Sequence, residues 1–154
     1  MDSKTTPARD LPAAIEFGRV PANRYFGFSL LSLRRGSAEV AMPLKRNFLQ
    51  EERVVHGGVL TTLADTAAVY TLYPFLEGGQ GMTSVELKMN FLRPVNIDDG
   101  SVTAKASLVR QGRSLAVCRV DVFQARRMVA TGLFTYLIYE HDDDGQPAPA
   151  AEGR

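Results

Sequence analysis

The chain of 154 residues concentrates its chemically useful side chains in residues 56–65, HGGVLTTLAD. His56, Gly57 and Gly58 stand at the start of a long apolar stretch. Asp65 stands inside it, the only charged residue between Gly57 and Glu77. Free backbone N–H groups at a helix start attract negative charge, and glycine lets a ligand approach that backbone closely. Gly57 N–H, with Gly58 N–H beside it, can polarise a carbonyl and hold an oxyanion. A carboxylate facing the same carbonyl can attack it or deprotonate a water. These parts suit acyl transfer by hydrolysis. Helical geometry separates them within one chain: at about 1.5 Å and 100° per residue, His56 and Asp65 lie roughly 13 Å apart along the axis and on opposite sides. A shared site then needs two copies, with antiparallel central helices bringing the His56–Gly57 end of one near Asp65 of the other.

The elements that must position these residues follow from hydrophobic spacing. Residues 57–76 are the long helical candidate, with Val59, Leu60, Leu63, Ala64, Ala67, Ala68 and Leu72 covering most of its circumference. A helix apolar nearly all round is a buried one. The glycines of EGGQG, 77–81, end it. Before it, residues 1–25 read as a loose arm followed by a short helix at 11–21 that Pro21 terminates. Residues 26–36 and 37–44 read as strands around an Arg-Gly turn, and 45–55 as a loop. After the helix, Val85, Leu87, Met89 and Phe91 alternate with Ser84, Glu86, Lys88 and Asn90, the period of a strand with one buried face. Further strands are expected at 101–109, 114–123 and 128–139, the four forming a meander. Residues 141–154, acidic and then rich in Pro and Ala, read as a disordered tail, with His141 solvated ahead of it. The fold class is α+β: a domain over 26–140 with about six antiparallel strands and one long central helix. One helix cannot cover both faces of such a sheet, so a homo-oligomer is expected.

Bulk properties narrow the function. A net charge of +1 gives no broad pull toward nucleic acid or membrane. The single cysteine, Cys118, excludes an internal disulfide framework and fits a reducing, cytoplasmic setting. Its place in an alternating strand makes it core filler. The polar start MDSKTTPARD lacks the apolar centre of a signal peptide, and no apolar run reaches membrane-spanning length. There is no phosphate-binding glycine loop, no dinucleotide fingerprint and no Cys/His cluster for zinc, so no cofactor and no metal is expected.

HGGVLTTLAD followed by SVELKMNFLRPV resembles the PaaI-type acyl-CoA thioesterases of the hotdog superfamily, from about residue 26 to about residue 138. The resemblance implies a curved antiparallel sheet wrapped around a long helix. It also implies dimers with a continuous sheet, often paired into tetramers, and active sites between subunits. Carried over by position, Gly57 supplies the N–H for the thioester oxygen. Asp65 is the catalytic nucleophile or general base, and His56 stands beside the oxygen site. Ser84 helps place water or the acid. Where the family often has Asn, this chain has Gln50, whose amide can orient water or the carboxylate on a longer arm. Where a glycine is often found, it has Arg53. These two departures bear on the loop's shape and on acyl preference.

Other readings stand beside this one. Taken alone, Asp65 can be a structural hydrogen-bonding group, His56 a cap or packing residue, Gly57-Gly58 a tight helix start, and Gln50 and Ser84 solvated polar residues. Arg93, Arg110 and Arg113, at strand ends, can meet CoA phosphates or simply face solvent. The leading expectation is an acyl-CoA thioesterase acting without cofactor. The alternatives are a non-catalytic acyl-CoA-binding protein, and a hotdog hydratase or dehydratase, whose histidine and acid stand closer in sequence.

Overall fold

The computed structural model describes residues 16–141. Six antiparallel strands form one sheet: β1 (Ser29–Arg34), β2 (Ser37–Met42), β3 (Gln80–Phe91), β4 (Val102–Gln111), β5 (Leu115–Gln124) and β6 (Arg127–Glu140). Two helices lie wholly within the described residues, α1 (Pro21–Phe26) and the long α2 (Gly57–Leu72), and Glu16 and Phe17 are helical as well. Most of the expected arm, residues 1–15, and tail residues 142–154 lie outside the described residues. Pro21 begins a helix rather than ending one. Its fixed φ and missing N–H suit the first helical position, where no intrahelical bond is lost. Phe26 therefore belongs to α1, and the first strand starts only at Ser29.

α2 stops at Leu72, before the glycines expected to end it. Pro74 has no N–H to continue the ladder, and the chain tightens into a 3-10 turn over Tyr73–Phe75. The buried face of α2, Leu60, Leu63, Ala64, Ala67 and Ala68, lies against the inner face of β2, β4 and β5, formed by Val40, Met42, Val102, Ala104, Cys118 and Val120. The alanines let helix and sheet approach closely: Cys118 Sγ sits 3.9 Å from the Ala68 carbonyl oxygen. Cys118 is indeed core filler.

The strand order is β1-β2-β4-β5-β6-β3. Only β4, β5 and β6 form the expected meander; β3 leaves it and pairs with the far side of β6. β2 occupies the flank of β4, with Ser37 opposite Ser107 and Met42 opposite Val102. The connector 92–101 reaches about 33 Å when extended, more than the roughly 14 Å of three strand spacings. Gln124, fully buried, fastens it. Its Nε2 donates to Asn96 O at 2.6 Å and Gly100 O at 3.1 Å, and its Oε1 accepts from Asn96 N at 3.3 Å. β3 thus becomes a long sheet edge. Its apolar face is open in the single chain rather than buried, because α2 does not extend across it: Leu87 and Phe91 are 43% and 54% exposed.

Candidate active site

The expected site residues gather in two places. At the start of α2, His56 is the N-cap, and its Nδ1 accepts a hydrogen bond from Gly58 N at 2.9 Å. That bond requires Nδ1 to be unprotonated, which assigns the ring proton to Nε2. The Gly58 N–H is thereby engaged, and Val59 N donates to His56 O at 3.0 Å. Gly57 N–H has no acceptor among the described residues, so it is the amide left open in the first turn. A Cβ on Gly58 would lie 3.0 Å from His56 Nδ1, so a side chain there would crowd the capping ring.

A cavity of about 410 Å³ opens beside Gly57, and Gln50, Leu60, Phe91 and Arg93 also line it. The Phe91 ring stands against Gly57, where an added Cβ would lie 2.9 Å from Cζ. Gln50 is held by its backbone, its N–H bonded to Val54 O at 2.9 Å and its carbonyl accepting from Arg53 N at 3.0 Å. Arg53 completes this tight turn with φ at +61°, a left-handed conformation that glycine adopts without penalty. A long cation therefore stands at a backbone position that glycine would take at no cost. Arg93 donates from Nη1 to Met128 O at 2.6 Å, which fixes its guanidinium at the cavity wall.

The second group surrounds Asp65, half-buried on α2. Its Oδ1 accepts from Tyr136 Oη at 2.6 Å and from Ser84 Oγ at 3.1 Å. Tyr136 Oη also lies 3.2 Å from the Asp65 carbonyl oxygen. Ser84 reaches this position because β3 carries a bulge at Val85. Ser84 pairs with Tyr136 and Glu86 with Thr135, so Val85 is the extra residue. The bulge places Ser84 on the inner face while Glu86 points outward toward Thr135 Oγ1. Strict alternation had grouped Ser84 with Glu86, Lys88 and Asn90. Tyr136 is fully buried on β6. Burial first, and the neighbouring Asp65 second, push its hydroxyl far above the ordinary tyrosine range. It is a hydrogen-bond donor at every working pH.

Ser84 and Tyr136 line a second cavity of about 700 Å³, whose other walls include Val69, Tyr73, Leu76 and Met82. His141 also borders it, its ring edge-on to Tyr139 at 5.2 Å, so it is engaged rather than merely solvated. The two cavities have no lining residue in common.

Tyr136 was not singled out from the sequence. The available signal was a tyrosine between Phe134 and Ile138 in a nearly continuous apolar strand, since a buried phenol needs a polar partner.

Residues 52–131 match the thioesterase superfamily. The chain is 32% identical over 107 residues to the acyl-coenzyme A thioesterase PaaI of Escherichia coli, covering 68% of this chain and 72% of that one. It is 26% identical over 137 residues to the medium/long-chain acyl-CoA thioesterase YigI of the same organism, covering 77% and 86%. The crystal structure of a thioesterase family protein from Silicibacter pomeroyi is similar with a TM-score of 0.78, at 27% identity, over 86% of this chain and 98% of that one.

Proposed function

Since the chain belongs to the thioesterase superfamily, as a PaaI-type hotdog protein and a thioester hydrolase, we propose that it hydrolyses acyl-CoA thioesters at a site built by two copies of the chain. Water and the thioester give a carboxylic acid and free CoA thiol. Gly57 N–H of one copy polarises the thioester carbonyl, and Asp65 of the other attacks it or takes the proton from water. Gln50 orients water or the carboxylate, and Ser84 steadies Asp65. His56 lines the oxygen site and, through its bond to Gly58 N, holds the first turn in shape. Gly58 gives the backbone room that this requires. Arg93 is placed to meet CoA phosphate.

The observation that carries this reading is the division of labour within one chain. An open amide lines one cavity, while the carboxylate of Asp65 is gripped by Ser84 and Tyr136, two hydroxyls that line another. The exposed apolar face of β3, an edge strand with one side unpaired, supports pairing with a second copy.

Two variants test it. Asp65→Asn removes the base or nucleophile. Gly57→Pro removes the open N–H at a helix position where proline is tolerated, and His56, at φ −60° and ψ 133°, already has the extended backbone a following proline requires. The half-exposed Phe91 ring must swing away from the new Cβ, so Gly57→Ala, which brings the same Cβ but keeps the N–H, is the control. Each of the two test variants is expected to fold and to lose about 100-fold or more in kcat. Mixing the two chains restores one intact site in each mixed dimer, so thiol release recovers to about a quarter of wild type under random pairing. Two inactive variants that stay inactive on mixing would place the amide and the acid in the same chain; near-normal turnover by Asp65→Asn would remove Asp65 from the chemistry.

A further inference from the structure

Building on the hydrolase reading above, we propose that Tyr136 is a positioning residue for Asp65: with Ser84 it fixes Oδ1 and turns Oδ2 toward the substrate. Two hydroxyls from neighbouring strands converge on a single carboxylate oxygen, at 2.6 Å from β6 and 3.1 Å from β3. Among the described residues, Oδ2 accepts no hydrogen bond. It is not a buried unsatisfied atom either, since the described residues contain none, so it keeps some contact with solvent. The two oxygens of one carboxylate therefore have different tasks. Oδ1 is the anchor and Oδ2 is the reacting atom.

The two donors are unequal. Ser84 is exposed and sits beside a bulge on an edge strand. Tyr136 is fully buried, its ring fixed by the core beneath α2. A hydroxyl on a rigid ring with two side-chain torsions holds its direction better than one on a serine at a sheet edge, so Tyr136 sets the carboxylate's orientation and Ser84 follows. The hydroxyl stays protonated for the reasons given above, which makes it a constant donor and excludes it as a base. The groups facing Asp65 are Ser84 from β3 and Tyr136 from β6, with Cys118 of β5 near the tyrosine hydroxyl. Burial pushes the Cys118 thiol up to about 12, so it is neutral. None of the ion pairs among the described residues includes Asp65. A change in the acid limb of the pH profile after altering Tyr136 therefore reports on this hydrogen bond.

The experiment is Tyr136→Phe in the full chain, assayed for acyl-CoA hydrolysis across pH beside Asp65→Asn. The expected result is a fall in kcat of about ten- to a hundredfold, as for loss of a hydrogen bond to a charged group. KM stays within about twofold. The acid limb of kcat/KM moves to higher pH, because a carboxylate that loses a donor is more basic. A second variant, 3-fluorotyrosine at position 136, keeps ring and packing but carries a more acidic hydroxyl, and it moves the same limb to lower pH. It also decides the matter if the phenylalanine variant does not fold. Wild-type kcat with an unmoved acid limb in Tyr136→Phe would overturn the proposal, as would a fall in melting temperature unaccompanied by either change. If Asp65→Asn itself hydrolyses normally, the hydrolase role of Asp65 falls, and Tyr136 with it. If only Asp65→Asn is inactive, the role of Tyr136 alone is refuted.

Discussion

His56 accepts a hydrogen bond from the second residue of α2, so its first effect is on the helix and not on a proton in flight. His56→Ala is expected to lower stability by about 1 kcal/mol, the usual effect of losing an N-cap. His56→Ser should restore most of it, read from urea midpoints. A loss of kcat that His56→Ser does not recover then measures what the imidazole does for the site beyond capping. Arg53 raises a different residue-scale question, because its left-handed φ is one that a side chain resists. Arg53→Gly relieves about 1 kcal/mol of local strain and gives part of it back through the greater freedom of glycine in the unfolded chain. The expected net gain is a few tenths of a kcal/mol, visible as a small rise in melting temperature. His56 had been marked by type and spacing, and Arg53 only by the family resemblance. That one caps the helix and the other completes a turn around Gln50 came from backbone angles.

At the level of elements, the bulge in β3 decides which polar side chain the long helix α2 meets. Without Val85 as an unpaired extra residue, Ser84 and Glu86 would share a face. With it, Ser84 turns to Asp65 and Glu86 to the outer surface. Ser84→Ala is expected to reduce kcat about tenfold, whereas Glu86→Ala leaves it within about twofold, measured by thiol release under identical conditions. Equal effects of the two would mean that the strand lacks the bulge. The alternation of residues 84–91 identifies a strand but cannot show an interruption of this kind, because each half keeps its own period. The hairpin between β1 and β2 was legible for the opposite reason: Arg35-Gly36 joins directly paired Arg34 and Ser37 with no irregularity at the turn.

Across the whole molecule, burial of weak acids gives the fold an alkaline limit. Tyr70 rises from 10.0 and Cys118 from 9.0, each to about 12, chiefly because burial disfavours the charged form. The folded state therefore holds these protons to higher pH than the unfolded chain does. The stability they contribute is complete below pH 9 and is lost as pH climbs toward 12. Urea midpoints should fall steadily over that interval, and Cys118→Ala should flatten the part of the fall that begins at pH 9. A second whole-molecule feature is the edge that β3 forms. Its apolar face, with Leu87 and Phe91, is open in the single chain. Among the described residues no helix is long and apolar enough to cross a membrane.

Local rules fixed the long helix, its glycine start, its lone acid and most strand positions. Each depends on residues near one another in the chain, through helical period, alternation, turn chemistry or capping. The separation of Gly57 from Asp65 was equally readable, since it is helical arithmetic. Tertiary structure alone decided that β3 crosses to the far side of β6, that Ser84 turns inward, and that Tyr136 reaches Asp65 from a strand seventy-one positions away. Those outcomes depend on which strand flanks are already taken and on which buried hydroxyl finds an acceptor. Such competition among distant segments leaves no local period to read.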